Sequence, residues 1–131
     1  MDTSVVFKTE LFQPFLPEDS QVIPKVYGAE LAYWLAKELA GQGIYTSYPE
    51  YEDWGWFIEF IVEDNEYWLC CGNFEDEENM WKCFLKRHSK GLFKKTLASL
   101  EPVIPLLNAV RLLLEETPEI SSIEWSSEHD T

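Results

Sequence analysis

The 131-residue chain predicts an α+β single domain, an antiparallel β-sheet of about four to six strands with two main helices packed on one face. Three observations carry that expectation. Apolar residues recur at helical spacing in an early and a late stretch. Between them, apolar and polar residues alternate over a long region, as strands with one buried face require. Hydrophobic residues make up 46% of the chain and aromatic residues 15%, enough material for one core, which excludes disorder for its body.

Ser4–Phe12 (SVVFKTELF) has strand composition, and Pro14, Pro17 and Pro24 then mark a loop. From Val26 to Leu39, the residues Tyr27, Leu31, Trp34, Leu35 and Glu38 fall on one helical face. Ala29, Ala32, Ala36 and Ala40 add helix propensity, and the glycines of AGQG (40–43) end the helix. Ile44–Pro49 reads as a short strand closed by proline. In the next strand Trp54, Trp56, Ile58, Phe60 and Val62 face one way, and Gly55, Phe57, Glu59, Ile61 and Glu63 the other. EDNE (63–66) is a tight turn centred on Asp64 and Asn65, residues that tolerate positive φ. That turn sets Val62 against Tyr67, Phe60 against Leu69 and Ile58 against Cys71, so apolar side chains meet across the hairpin.

After the acidic loop Gly72–Asn79, the segment Met80–Arg87 alternates again, with Trp81, Cys83 and Leu85 inward. A second helix follows the loop around Gly91. Ser99 is its expected N-cap and Pro102 sits in its first turn, while Pro105 lies just inside the start or bends it. Val103, Leu106, Leu107, Val110, Leu113 and Leu114 form its apolar stripe, and Pro118 ends it. Ser121–Trp125 is a last short strand. The domain is expected to span residues 1–125, with 126–131 as a flexible tail.

The formal net charge of −14 repels phosphate backbones and excludes nucleic acid as a general partner. No apolar run reaches the roughly 18 residues of a membrane span, and the N-terminus lacks a basic start with a small-residue cleavage site. Cys70, Cys71 and Cys83 then read as reduced thiols of a cytoplasmic protein. Adjacent Cys70 and Cys71 point to opposite faces of a strand and would not share a tetrahedral ion. The acidic runs lack the pattern of a calcium loop, and the chain contains no phosphate-binding glycine motif. No metal and no cofactor is predicted.

The outward face of the central hairpin is unusual. Phe57, Glu59 and Ile61 lie beside Trp68, Cys70 and Gly72, with Lys82, Phe84 and Lys86 on the following strand. A solvated sheet face would be mostly polar. Another part of the chain covers this one, a second copy pairs with it, or a different protein docks on it. Charge is segregated too. Residues 50–79 carry many carboxylates and no base, whereas Lys82, Lys86, Arg87, Lys90, Lys94 and Lys95 follow with no acid among them. The candidate partner-binding residues are Phe57, Ile61, Trp68 and Phe84 as apolar contacts. Glu59, Glu75, Asp76, Glu77 and Glu78 would steer a basic protein. On this reading Trp68 could be truncated with little loss of stability. A small enzyme using carboxylates or His88 in a cleft is the rival class.

The segments YPEYEDWGWFIEF and NEYWLCCGN with a closing helix resemble a family of small conserved hypothetical bacterial proteins, a likeness that implies no activity. The acidic α+β character is loosely similar to toxin-immunity proteins, which implies a non-enzymatic protein-binding domain. It is similar also to acidic secretion chaperones, which implies a homodimer holding an effector segment, although that pattern begins with a helix and this chain with a strand.

Overall fold

The structure, a computed structural model, describes residues 1–12, 28–74, 77–90 and 96–127. Its elements run β1 (Ser4–Lys8), α1 (Ala29–Gly41), β2 (Glu50–Glu52), β3 (Gly55–Val62), β4 (Asn65–Asn73) and β5 (Met80–Arg87). They continue with β6 (Ser89–Lys90), β7 (Thr96–Leu97), a 3-10 turn (Glu101–Val103), α2 (Ile104–Glu116) and β8 (Ser121–Ser126). Six strands form one sheet in the order β2-β3-β4-β5-β1-β8, every neighbouring pair antiparallel. The first strand of the chain is thus inserted between β5 and the last strand. β6 and β7 make a separate two-stranded ladder.

Period-two alternation sorts the strand residues between faces. Val5 and Phe7 of β1, Ile58 of β3, Tyr67, Leu69 and Cys71 of β4, and Trp81, Cys83 and Leu85 of β5 are buried in one cluster. Leu31, Leu35 and Leu39 of α1 and Leu106, Val110 and Leu114 of α2 belong to it as well. Both helices therefore pack on one face of the sheet, and the fold is α+β as predicted. The buried aromatics also find polar partners. The Tyr67 hydroxyl donates to the Ser99 carbonyl at 2.6 Å, and Trp81 Nε1 donates to the Thr9 carbonyl at 3.3 Å. On the edge strand, the Arg111 guanidinium of α2 lies 4.3 Å from the centre of the Trp125 ring.

Several sequence expectations are corrected. β1 ends at Lys8, and Phe12 turns into the core, its ring 5.2 Å from Trp34 and 5.9 Å from Trp81. α1 begins at Ala29, and the expected first residues Val26 and Tyr27 lie outside the described residues. Ile44–Pro49 is not a strand. Ser47 hydrogen-bonds to the sheet there, accepting from Glu59 N through its hydroxyl and donating from its own N–H to the Glu59 carbonyl, both at 2.9 Å. Ser99 does not cap α2 through its side chain. The 3-10 turn and α2 instead carry Pro102 and Pro105 as their second residues, positions where a missing N–H costs no helical bond. β8 runs through Ser126, one residue into the expected tail, and residues 128–131 lie outside the described residues.

The β3–β4 turn is centred on Glu63 (φ 51°) and Asp64 (φ 64°), one residue earlier than expected. Two consecutive residues with positive φ match the right-handed twist of the flanking strands. Val62 consequently pairs with Asn65, Phe60 with Tyr67, Ile58 with Leu69 and Trp56 with Cys71. Moving a turn by one residue slides the partner strand by two, an even number, so each strand residue keeps its expected face. Among the described residues, no helix is long and apolar enough to cross a membrane.

Candidate functional site: an aromatic sheet face with an acidic edge

The register builds the second face row by row. Lys86, Trp68 and Glu59 stand side by side on β5, β4 and β3, and the next row is Phe84, Cys70, Phe57 and Glu50 across β5, β4, β3 and β2. Ser4 of β1 extends that second row beyond Phe84. Lys82 lies opposite Gly72, and Glu52 opposite Gly55. Charge therefore changes sign across the strands, from carboxylates on β2 and β3 to ammonium groups on β5.

Diagonal neighbours close the gaps between the rows. Phe57 and Trp68 stack with ring centres 3.8 Å apart and planes 13° from parallel. Trp68 Nε1 donates to a Glu59 carboxylate oxygen at 3.3 Å, and the Lys86 ammonium lies 5.4 Å above the indole. His88 meets Trp68 edge-on at 4.5 Å, and among the described residues its buried Nε2 has no hydrogen-bond partner. The Lys82 ammonium is 5.5 Å from the Phe84 ring.

Trp54 corrects the sequence reading. It was expected in the core beside Trp56, yet it lies on this second face, 6.4 Å from Phe57 and 5.7 Å from Phe84 between ring centres. The reason is local. Asp53 and Trp54 form the turn between β2 and β3, so Trp54 stands outside the strand alternation that was extended back through it. The signal was present in the residues bracketing Trp54, because aspartate and glycine are turn formers.

The candidate residues thus separate into support and surface. Phe57, only 5% exposed, is the floor of the aromatic cluster, and Cys70 beside it is fully buried. Trp68, Phe84 and Glu59 are half-buried around them. Ile61 is 59% exposed and Trp54, missed as a surface residue, is 39% exposed. Glu77 and Glu78 are exposed in the loop after β4, and Glu75 and Asp76 lie outside the described residues. Because Trp68 roofs Phe57 and holds Glu59, the expectation that its truncation leaves stability unchanged no longer stands. Trp68→Ala should cost about 2 kcal/mol, summed from a lost aromatic stack, hydrogen bond and cation–π contact. Urea unfolding of the variant measures it, and an unchanged midpoint would show that the stack adds nothing.

The thiols are chemically quiet. Burial pushes the Cys70 thiol far above the ordinary range; Lys86 pulls it partly back, and Cys83 and Glu52 add to the rise. Cys71 faces Cys83 across the strands, its sulfur 3.9 Å away, and that hydrogen bond together with burial raises it well above the ordinary value. A thiol raised in the folded chain stays neutral where the unfolded chain ionises, so its stabilisation is complete below the unfolded value and is lost as pH rises. Stability should therefore fall from about pH 8.5 upward, by up to ~1.4 kcal/mol per pH unit for each such thiol. Urea midpoints at pH 7, 8.5 and 10 read this directly, and Cys70→Ala should flatten the fall. A midpoint constant to pH 10 would mean that the thiols ionise in the folded protein.

Among the described residues, two open grooves lie away from this face. One, of about 450 Å³, is lined by Lys8, Thr9, Glu10, Leu11, Glu119 and Ser121. The other, of about 380 Å³, is lined by Leu11, Phe12, Glu30, Tyr33, Trp34 and Lys37. Among the described residues, no group of three or more His, Cys, Asp or Glu side chains is placed to hold a metal ion. Comparison of the chain with protein-family models, with curated proteins and with solved structures returns no match.

Proposed function

We propose that this chain is a non-enzymatic, immunity-like protein-binding domain that docks a basic protein partner on the second face of its sheet. The observation that carries the reading is that exposed Ile61 and Trp54 share one sheet face with the carboxylates of Glu50, Glu52, Glu59 and Glu66, on the side opposite the helices. Apolar contacts supply affinity once desolvated, and the surrounding charge steers encounter and selects a partner of opposite sign. A net charge of −14 strengthens that steering. The rigid Phe57–Trp68 stack beneath the surface holds it in place before binding, which lowers the ordering cost.

The test compares wild-type protein with Ile61→Asp as immobilised bait, followed by titration of whichever purified protein the wild type alone retains. The expected partner is basic, and Ile61→Asp weakens it at least tenfold while leaving thermal unfolding of the bait unchanged. Equal affinity for both baits would overturn the reading. A wild-type dimer in light scattering that Ile61→Asp dissociates would replace it with self-association through the same face.

A further inference from the structure

Cys71 and Cys83 stand directly opposite each other on β4 and β5, twelve positions apart in the chain and with their sulfurs 3.9 Å apart. The Phe74 N–H donates to the Met80 carbonyl at 2.9 Å and the His88 N–H to the Glu66 carbonyl at 3.3 Å, which fixes the phase of that ladder. Hydrogen-bonded and non-hydrogen-bonded pairs alternate along antiparallel strands. The two cysteines therefore form a non-hydrogen-bonded pair, in which Cα atoms are about 4.5 Å apart. That separation lies within the span of a disulfide. Cys70 points to the other face, where it pairs with Phe57 and Phe84. Gly28 and Gly55 both crowd the Cys71 carbonyl oxygen, since a Cβ added at either would come 2.7 or 2.5 Å from it. The Cys71 backbone is thus held, and the two sulfurs meet by side-chain rotation and a small movement of β5.

We propose that Cys71 and Cys83 form a reversible cross-strand disulfide, a redox staple at the base of the acidic loop. The oxidant is a small-molecule disulfide of the glutathione type. One cysteine attacks it as the thiolate and releases a small thiol; the second cysteine then displaces the other small thiol from the mixed disulfide. The two cysteine sulfurs lose two electrons and two protons, which the two small thiols take up, and one S–S bond breaks as another forms. Both side chains are buried and neutral in the closed core, so exchange proceeds through opening of the β4–β5 pair or in the folding chain. Drawing the sulfurs from 3.9 Å to about 2 Å on a held backbone strains the bond, which makes it easier to reduce again. The staple closes the hairpin whose end carries exposed Glu77 and Glu78. It stands independently of the partner-binding reading.

The full chain is unfolded in urea and refolded in mixed oxidised and reduced glutathione, beside a sample refolded in dithiothreitol. Remaining thiols are alkylated, and both samples are mapped by mass spectrometry. The oxidised protein is expected to be lighter by two hydrogens before alkylation, to carry a cross-link between residues 71 and 83, and to be alkylated at Cys70 alone. It should melt roughly 5–10 °C above the reduced protein, because the closed loop restricts the unfolded chain, and dithiothreitol should return it to the reduced melting point. Cys70→Ala should leave the cross-link intact, whereas Cys83→Ala should abolish it while keeping the circular dichroism of the wild type. A cross-link that joins Cys70 to either partner, glutathione adducts without a cross-link, or three alkylated thiols would overturn the proposal. So would an oxidised protein that melts no higher than the reduced one.

Discussion

Gly55→Ala is expected to destabilise the protein by about 3 kcal/mol, and to loosen Trp54 from the aromatic face as it does so. Gly55 has φ 155°, and a Cβ added there would come 2.5 Å from the Cys71 carbonyl oxygen on the neighbouring strand. That oxygen belongs to backbone held in the ladder between β3, β4 and β5, so it cannot swing aside as a side-chain tip would. The clash must be relieved by moving β3 away from β4 at the point where the chain leaves the Asp53–Trp54 turn. Thermal or urea unfolding measures the loss of stability, and a red-shifted tryptophan emission reports the release of Trp54. A loss below about 0.5 kcal/mol, the ordinary range for surface changes, would mean that the two strands are not locked together there.

The second large effect belongs to the other face. Leu35→Ala should cost about 3 kcal/mol, within the roughly 2–5 kcal/mol seen when a buried leucine loses its branched end and leaves a cavity. Leu35 lies in the middle of α1 with no exposed surface, inside the cluster that joins both helices to β3, β4, β5 and β1. Neighbours held by a sheet on one side and a second helix on the other cannot collapse fully into the space. With total stability on the order of 5–15 kcal/mol for such a domain, the variant should remain folded at room temperature but melt roughly 10 °C lower. Lys37→Ala, on the exposed side of the same helix, should change stability by less than about 0.5 kcal/mol. Equal costs at both positions would contradict the assignment of the helix faces.

These two residues mark how far the chain could be read without coordinates. Leu35 was legible because helical spacing is a local property: Leu31, Leu35 and Leu39 align whatever the helix packs against. The strand faces were legible for a related reason. Even with the β3–β4 turn displaced by one residue, period-two alternation kept Phe57 and Trp68 on one side and Ile58 and Leu69 on the other. The candidate site was legible only in part. Alternation continued through a turn puts Trp54 in the core, and alternation alone makes Phe57 a contact surface, although Trp54 and Trp68 cover it.

The sequence by itself determined the class of fold, the apolar stripe of the second helix and the face of each residue within β3, β4 and β5, because these follow from periodicities of a few residues. Only the tertiary structure decided that β1 lies between β5 and β8, that Trp54 folds over the second face, and that Cys71 and Cys83 come together. Those pairings join residues far apart in the chain or hang on one turn. Which of them forms is set by the packing of the whole sheet against its helices rather than by any local preference.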